Sequence, residues 1–162
     1  MLPGTPPVNR DHAHSSPARI PVGPRAGLPK LALAEVSSCS PPGQLRSSRW
    51  GDLFLWLLGR RWRLRVVGYS MAPLLMPGQE VLVNPHTYRC RSPQPGDLVV
   101  ARHPHRPQLW LIKWVVYGVE SQSQGGVGYF LAGLNPEAST DSRNFGLVAQ
   151  AHLMAQVVCR FP

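Results

Sequence analysis

Lysine is almost missing from this chain. Lys30 and Lys113 are its only two among 17 basic residues, and the other 15 are arginine. Acidic residues are few as well, eight in 162, so the formal charge reaches +9. The three cysteines, Cys39, Cys90 and Cys159, are odd in number and far apart. That excludes a disulfide framework or a zinc pattern and fits a reducing compartment. Long apolar runs are absent too. The stretch LFLWLL at 53–58 is the one place for an anchor. As a helix it would rise about 9 Å against a hydrocarbon core of about 30 Å, so no transmembrane span is expected.

The positive charge is uneven. Residues 1–65 hold ten Lys/Arg against three Asp/Glu, a balance of +7, whereas residues 66–162 hold seven against five, a balance of +2. Residues 1–48 also contain nine of the 18 prolines. Such a segment cannot bury enough apolar surface to offset its ordering entropy, and the expectation is a disordered, Pro/Arg-rich leader over 1–48. Its acid-poor, Arg- and Ser-containing composition suits a transit peptide as well as a plain tail. No aromatic residue precedes Trp50, so nothing there can stack on bases, and no nucleic-acid partner is expected. Two His-x-His pairs, His12/His14 and His103/His105, have no third ligand at a familiar spacing. No metal or other cofactor is expected.

Residues 49–62 read as a short apolar and basic helix or connector. Trp50, Trp56 and Trp62 lie beside arginines there, which admits a helix resting on a membrane surface as well as one packed on the domain. From residue 63 the texture is β. RLRVVG, EVLVN, GDLVVAR, LWLIKWVVYG, GYFLAG and AQVVCRF are short Val/Leu/aromatic runs with Pro-Gly, Asn-Pro and Gly-Gly between them. The expected fold is mainly β: a single, mostly antiparallel domain over 63–162.

Lys113 sits inside LWLIKWVVYG, where every neighbour is apolar or aromatic. Arginine keeps its proton in a protein, but a desolvated lysine can lose it. The reference lysine pKa is about 10.4, and full burial lowers it by up to 3–5 units. A lysine in this place therefore reads as one wanted in its neutral form, unless the strand turns it outward into water. Its counterpart is Ser70. The apolar strand Arg65–Val67 is expected to end at Gly68, and Pro73 and Pro77-Gly78 stop any regular element beyond it. Ser70 then stands on an exposed turn that offers a hydroxyl and a backbone N–H together. Serine–lysine pairs are a recognised way to activate such a hydroxyl. In the loop 133–146, Asp141 and Arg143 are near enough to pair through one turn, and Ser139, Thr140 and Ser142 are small hydroxyl residues able to orient an amine.

Four motifs in order, Ser70-Met71-Ala72-Pro73, Pro95-Gly96-Asp97, Lys113, and Gly133…Asn135…Ser139-Thr140-Asp141-Ser142-Arg143…Gly146, resemble the type I signal peptidase family of serine–lysine proteases. The resemblance covers roughly 64–162. It implies a signal-peptidase-like β fold, with Ser70 as nucleophile and Lys113 as general base. It further implies Ser139 as the hydroxyl that orients the lysine amine, Asp141 and Arg143 as a supporting salt bridge, and the Ser70 N–H as an oxyanion donor. Gly68 stands where some members have a second donor hydroxyl, and Leu134 replaces the usual aspartate after Gly133. The sequences GYSMAPLL, VVARHP and NPEASTDSRNFGLV resemble one anchorless branch, the nickel superoxide dismutase maturation proteases. That branch implies a protein partner, the nickel superoxide dismutase precursor, whose propeptide is removed so that the new N-terminus can ligate nickel.

Three other readings stand beside this one. The first is an ordinary signal peptidase held at a membrane surface by LFLWLL and its arginines. The second is a self-cleaving repressor peptidase, which would need a DNA-binding helical domain that residues 1–48 do not resemble. The third is a catalytically silent binding module. Without a spanning segment and with so little cysteine, the expected location is cytoplasmic, or peripheral to a membrane under the first of these readings.

Overall fold

Leu153–Arg160 alternates buried and half-buried residues along its whole length, the period-two pattern of a strand inside a sheet. The computed structural model describes residues 43–121 and 126–162. The expected leader, residues 1–42 of it, lies outside the described residues. The chain runs α1 (Trp50–Leu57), β1 (Trp62–Arg65), β2 (Glu80–Asn84), α2 (Thr87–Cys90), β3 (Leu98–His103), β4 (Arg106–Ser121) and β5 (Gly126–Ala132). It continues through α3 (Ser142–Phe145), β6 (Val148–Ala149) and β7 (Leu153–Arg160). These strands form one sheet in the order β1-β2-β7-β3-β4-β5-β6, and all paired strands are antiparallel. The mainly β, antiparallel expectation is met. The strand before Gly68 is a correction: β1 ends at Arg65. Val66 instead closes a loop, donating to Gln79 O and accepting from Gly78 N.

Both faces of the sheet are covered. Leu98, Val100, Trp114 and Phe130 lie on one face under Met71, Leu74 and Leu75 of the β1–β2 loop. Val99, Ala101, Val115 and Leu131 lie on the other, with Tyr88 and Phe145 packed against them. The three buried side chains at 71, 74 and 75 anchor the loop that carries Ser70. A fully buried leucine is worth about 1.5–3 kcal/mol, so burial in the core contributes heavily to holding the turn.

β4 is the long element, and it changes partners part-way. It pairs with β3 from Arg106 to Trp114 and with β5 from Trp114 to Ser121. Between Arg106 and Lys113 one edge of β4 pairs with no strand among the described residues. Pro107, which has no N–H to give a ladder, is tolerated on such an edge.

α1 docks through a carboxylate. Asp52 is its one buried residue. Its side chain accepts from the Arg49 N–H at 3.1 Å and from Arg46 Nη2 at 3.0 Å, and Arg61 Nη1 lies 3.4 Å away. The Arg46 hydrogen bond, chiefly, holds the Asp52 carboxyl down at about 2. Because the folded-state value is depressed, this contribution is complete above the ordinary aspartate range near 4 and is lost as pH falls through about 2. Thermal melts are expected to show Asp52→Asn destabilised by about 2 kcal/mol at neutral pH, with the gap to the native protein closing between roughly pH 4 and pH 2.

Candidate active site

Ser70 lies in a tight turn, where Ala72 N–H bonds Tyr69 O and Leu75 N–H bonds Met71 O. Gly68 enters this turn at a φ of 82°, in the left-handed region that favours glycine. The Ser70 N–H makes no hydrogen bond among the described residues, while its carbonyl accepts from Asn135 N–H at 3.0 Å. That bond ties the turn to the segment leaving β5.

Lys113 is 2% exposed. The outward orientation that a strand lysine usually takes is overturned here. Across β3 it faces Val99, and it shares that face with Ala101, Val115 and Leu131. On its other side β5 stops at Ala132, the partner of Trp114, and the antiparallel register brings Gly133 alongside Lys113. Ser70 and Lys113 both line a cleft of about 550 Å³. All five residues from Leu109 to Lys113 line it, as expected when a strand presents its open edge. Thr140 and Asn144 line it as well.

Gly133 is the tightest point. A Cβ placed there would lie 2.2 Å from Ser139 Oγ and 2.7 Å from the Ser70 carbonyl oxygen. Ser139, the Ser70 turn and the end of β5 therefore meet at one position with room only for hydrogen. Ser139 Oγ donates to Asp141 Oδ2 at 2.8 Å, which leaves its lone pairs for another donor.

Asp141 is fully buried and yet charged. Burial alone would push its carboxyl up. The opposing hydrogen bonds, from Arg143, the Gly133 N–H and Ser139, outweigh that and hold it below the usual aspartate value. Gly133 N–H lies at 2.9 Å and Arg143 Nε at 2.8 Å, and Arg143 Nη2 completes a two-pronged ion pair. Asp141 also caps α3, accepting from the Arg143 N–H at 3.2 Å.

Ser70 and Lys113 thus meet at one cleft, and Ser139, Asp141 and Arg143 form a chain of contacts that ends at Gly133. Thr140 is exposed on the cleft wall. Ser142 is buried, and its hydroxyl accepts from the Leu131 N–H at 2.9 Å, so it serves the backbone of β5. Sequence reasoning did not pick out Asn144, whose Oδ1 accepts from the Asp141 N–H at 3.1 Å. Its spacing three residues after Asp141 is the capping-box signal that would have found it.

Residues 56–122 match the family described as signal peptidase, peptidase S26. The matched stretch contains Ser70 and Lys113 and ends before Ser139. No curated protein matches the chain. By this match residues 56–122 are similar to the signal-peptidase type of serine peptidase, hydrolases that act on protein substrates. No helix of the described residues is long and apolar enough to cross a membrane.

Gly133→Ala tests the packing of the site. The new methyl is expected to cost about 1–3 kcal/mol in a denaturant melt, because two of its three nearest neighbours cannot move without shifting Asp141 or the Ser70 turn. Gly51→Ala, where nothing lies within 4 Å, is expected to be neutral or slightly stabilising.

Proposed function

We propose that this protein is a serine endopeptidase in which Ser70 is the nucleophile and Lys113 the general base. The observation that carries this is the near-complete burial of Lys113, with Ser70 on the same cleft. Desolvation disfavours the charged ammonium, and a neutral amine can take a hydroxyl proton.

In this reading Ser70 Oγ attacks the scissile carbonyl while its proton passes to Lys113 Nζ. The Ser70 N–H receives the developing oxyanion. When the C–N bond breaks, Lys113 returns that proton to the leaving amine, and an acyl-serine remains. Water then attacks the acyl carbon with its proton going to Lys113, which passes it to Ser70 Oγ as the acyl–oxygen bond breaks, releasing the acid and restoring the hydroxyl. Ser139 accepts a hydrogen bond from the lysine amine through the lone pairs left over from its bond to Asp141. Asp141 and Arg143 hold Ser139 in place. The open edge of β4 gives an extended peptide somewhere to lie.

The substrate we propose is the N-terminal propeptide of nickel superoxide dismutase. The resemblance of GYSMAPLL, VVARHP and NPEASTDSRNFGLV to the maturation proteases supports it. A signal peptidase working at a membrane surface is the second reading, favoured by the exposed apolar face of α1.

Co-expression with a nickel superoxide dismutase precursor, read by the intact mass of the dismutase, tests both levels. Trimming is expected with the native protein and not with Ser70→Ala. Lys113→Arg keeps the charge but not the ability to be neutral, and should lower the cleavage rate by about 10²–10⁴-fold. If the native protein leaves the precursor whole, the substrate is wrong and secretory precursors are tried next. Cleavage by Lys113→Arg at the native rate would rule out the dyad.

The pH profile supplies a separate check. Because the base must be deprotonated, kcat/KM on a cleaved peptide is expected to rise between pH 5 and 9. A flat profile over that range would contradict a neutral lysine.

A further inference from the structure

α1 turns the wrong way for a helix that only packs on its own domain. Its buried residue is the charged one, Asp52, while Trp50 is 88%, Phe54 61% and Leu57 77% exposed, with Leu58 just beyond at 55%. Positions 50, 54, 57 and 58 recur at helical spacing and form one stripe. Trp56, which the sequence grouped with the outward tryptophans, is half-buried and packs edge-on against Phe161 at 5.4 Å. Trp62, on the strand after the helix, is 39% exposed and stacks at 6.4 Å on Trp110 in the cleft wall.

The surroundings of the stripe are basic. Residues 43–65 contain six arginines and a single acid, Asp52, which is buried against Arg46 and Arg61. Glu80, on the strand paired with β1, is taken by Arg63 at 3.5 Å. Arg49, Arg60 and Arg65 are exposed and make no ion pair among the described residues. An apolar stripe edged by tryptophan and unneutralised arginine has the chemistry of a helix lying in the headgroup region of an anionic bilayer. A second copy of this chain is a poor match, because it would bring one set of arginines against another.

We propose that α1 docks the protein on an anionic lipid surface, with Trp50, Phe54, Leu57 and Leu58 in the acyl boundary and Arg49, Arg60 and Arg65 on the headgroups. This docking stands on the surface alone and does not rest on the peptidase reading.

The test is co-sedimentation of the full chain with vesicles of phosphatidylcholine and of mixed phosphatidylcholine and phosphatidylglycerol. Binding to the mixed vesicles is expected, weaker on phosphatidylcholine alone and falling as salt rises. The pair Phe54→Asp and Leu57→Asp is expected to lose roughly tenfold or more in partitioning. Both side chains are exposed, and an unchanged melt checks that the fold is kept. Arg60→Glu should weaken binding and flatten its salt dependence. The proposal is overturned if neither vesicle binds, or if the doubly substituted protein binds as well as the native one, which would move the contact to another basic surface such as the leader. A dimer in sedimentation equilibrium that the double substitution disperses would assign the face to a second copy and overturn it equally.

Discussion

The site hangs on one buried charge. The Asp141 carboxylate has no exposure, and it is worth keeping there only because every lone pair it carries has a donor. Those donors come from three places: the end of β5 at Gly133, the Ser139 hydroxyl, and Arg143 at the start of α3. Removing any of them would leave a buried lone pair of that charge without a donor. The carboxylate therefore fixes the loop after β5 in one arrangement, and through Gly133 it fixes the distance between Ser139 and the Ser70 turn. A hydrophobic residue at 141 could fill the space but could not set that geometry.

The second constraint is the exchange of partners along β4. A strand bonded on both edges would have left no room for a cleft beside Lys113. A strand bonded on one edge throughout would have exposed the amine. Because β5 ends at Ala132, opposite Trp114, Lys113 has β3 on one side and the turning chain at Gly133 on the other. Burial and access to a cleft are then compatible in one residue. The same open edge explains why a proline is accepted at 107, within a strand that starts three residues before the LWLIKWVVYG run.

The surface divides along similar lines. The basic excess of the N-terminal part continues into the described residues, where six arginines surround α1. Two of them neutralise Asp52, which anchors the helix, and others remain exposed around its apolar stripe. Residues 45–48, within the stretch assigned to the leader, lie against the domain: Leu45 packs on the core, Ser48 N–H bonds Arg160 O and Arg160 N–H bonds Arg46 O. Those bonds run backbone to backbone and have no signature in side-chain composition.

Much of the architecture was legible from local pattern. EVLVN is β2 from end to end, and four of the other runs lie largely on strands, because alternation and turn residues act within a few positions, while RLRVVG leaves β1 after Arg65. The two-residue β6 has no period to read, so nothing local could announce it. The scarcity of lysine singled out Lys113, and the glycine and prolines around Ser70 marked an exposed turn. What the chain could not state locally is which way a side chain faces once strands are paired. Lys113 points inward because of its register with Val99, and Trp50 points outward because Asp52 is bound beneath the helix. Residue type and spacing determined which groups were available for chemistry. Their meeting at one cleft was decided by pairings between residues far apart in the chain, since burial and proximity belong to the assembled sheet and not to any single stretch.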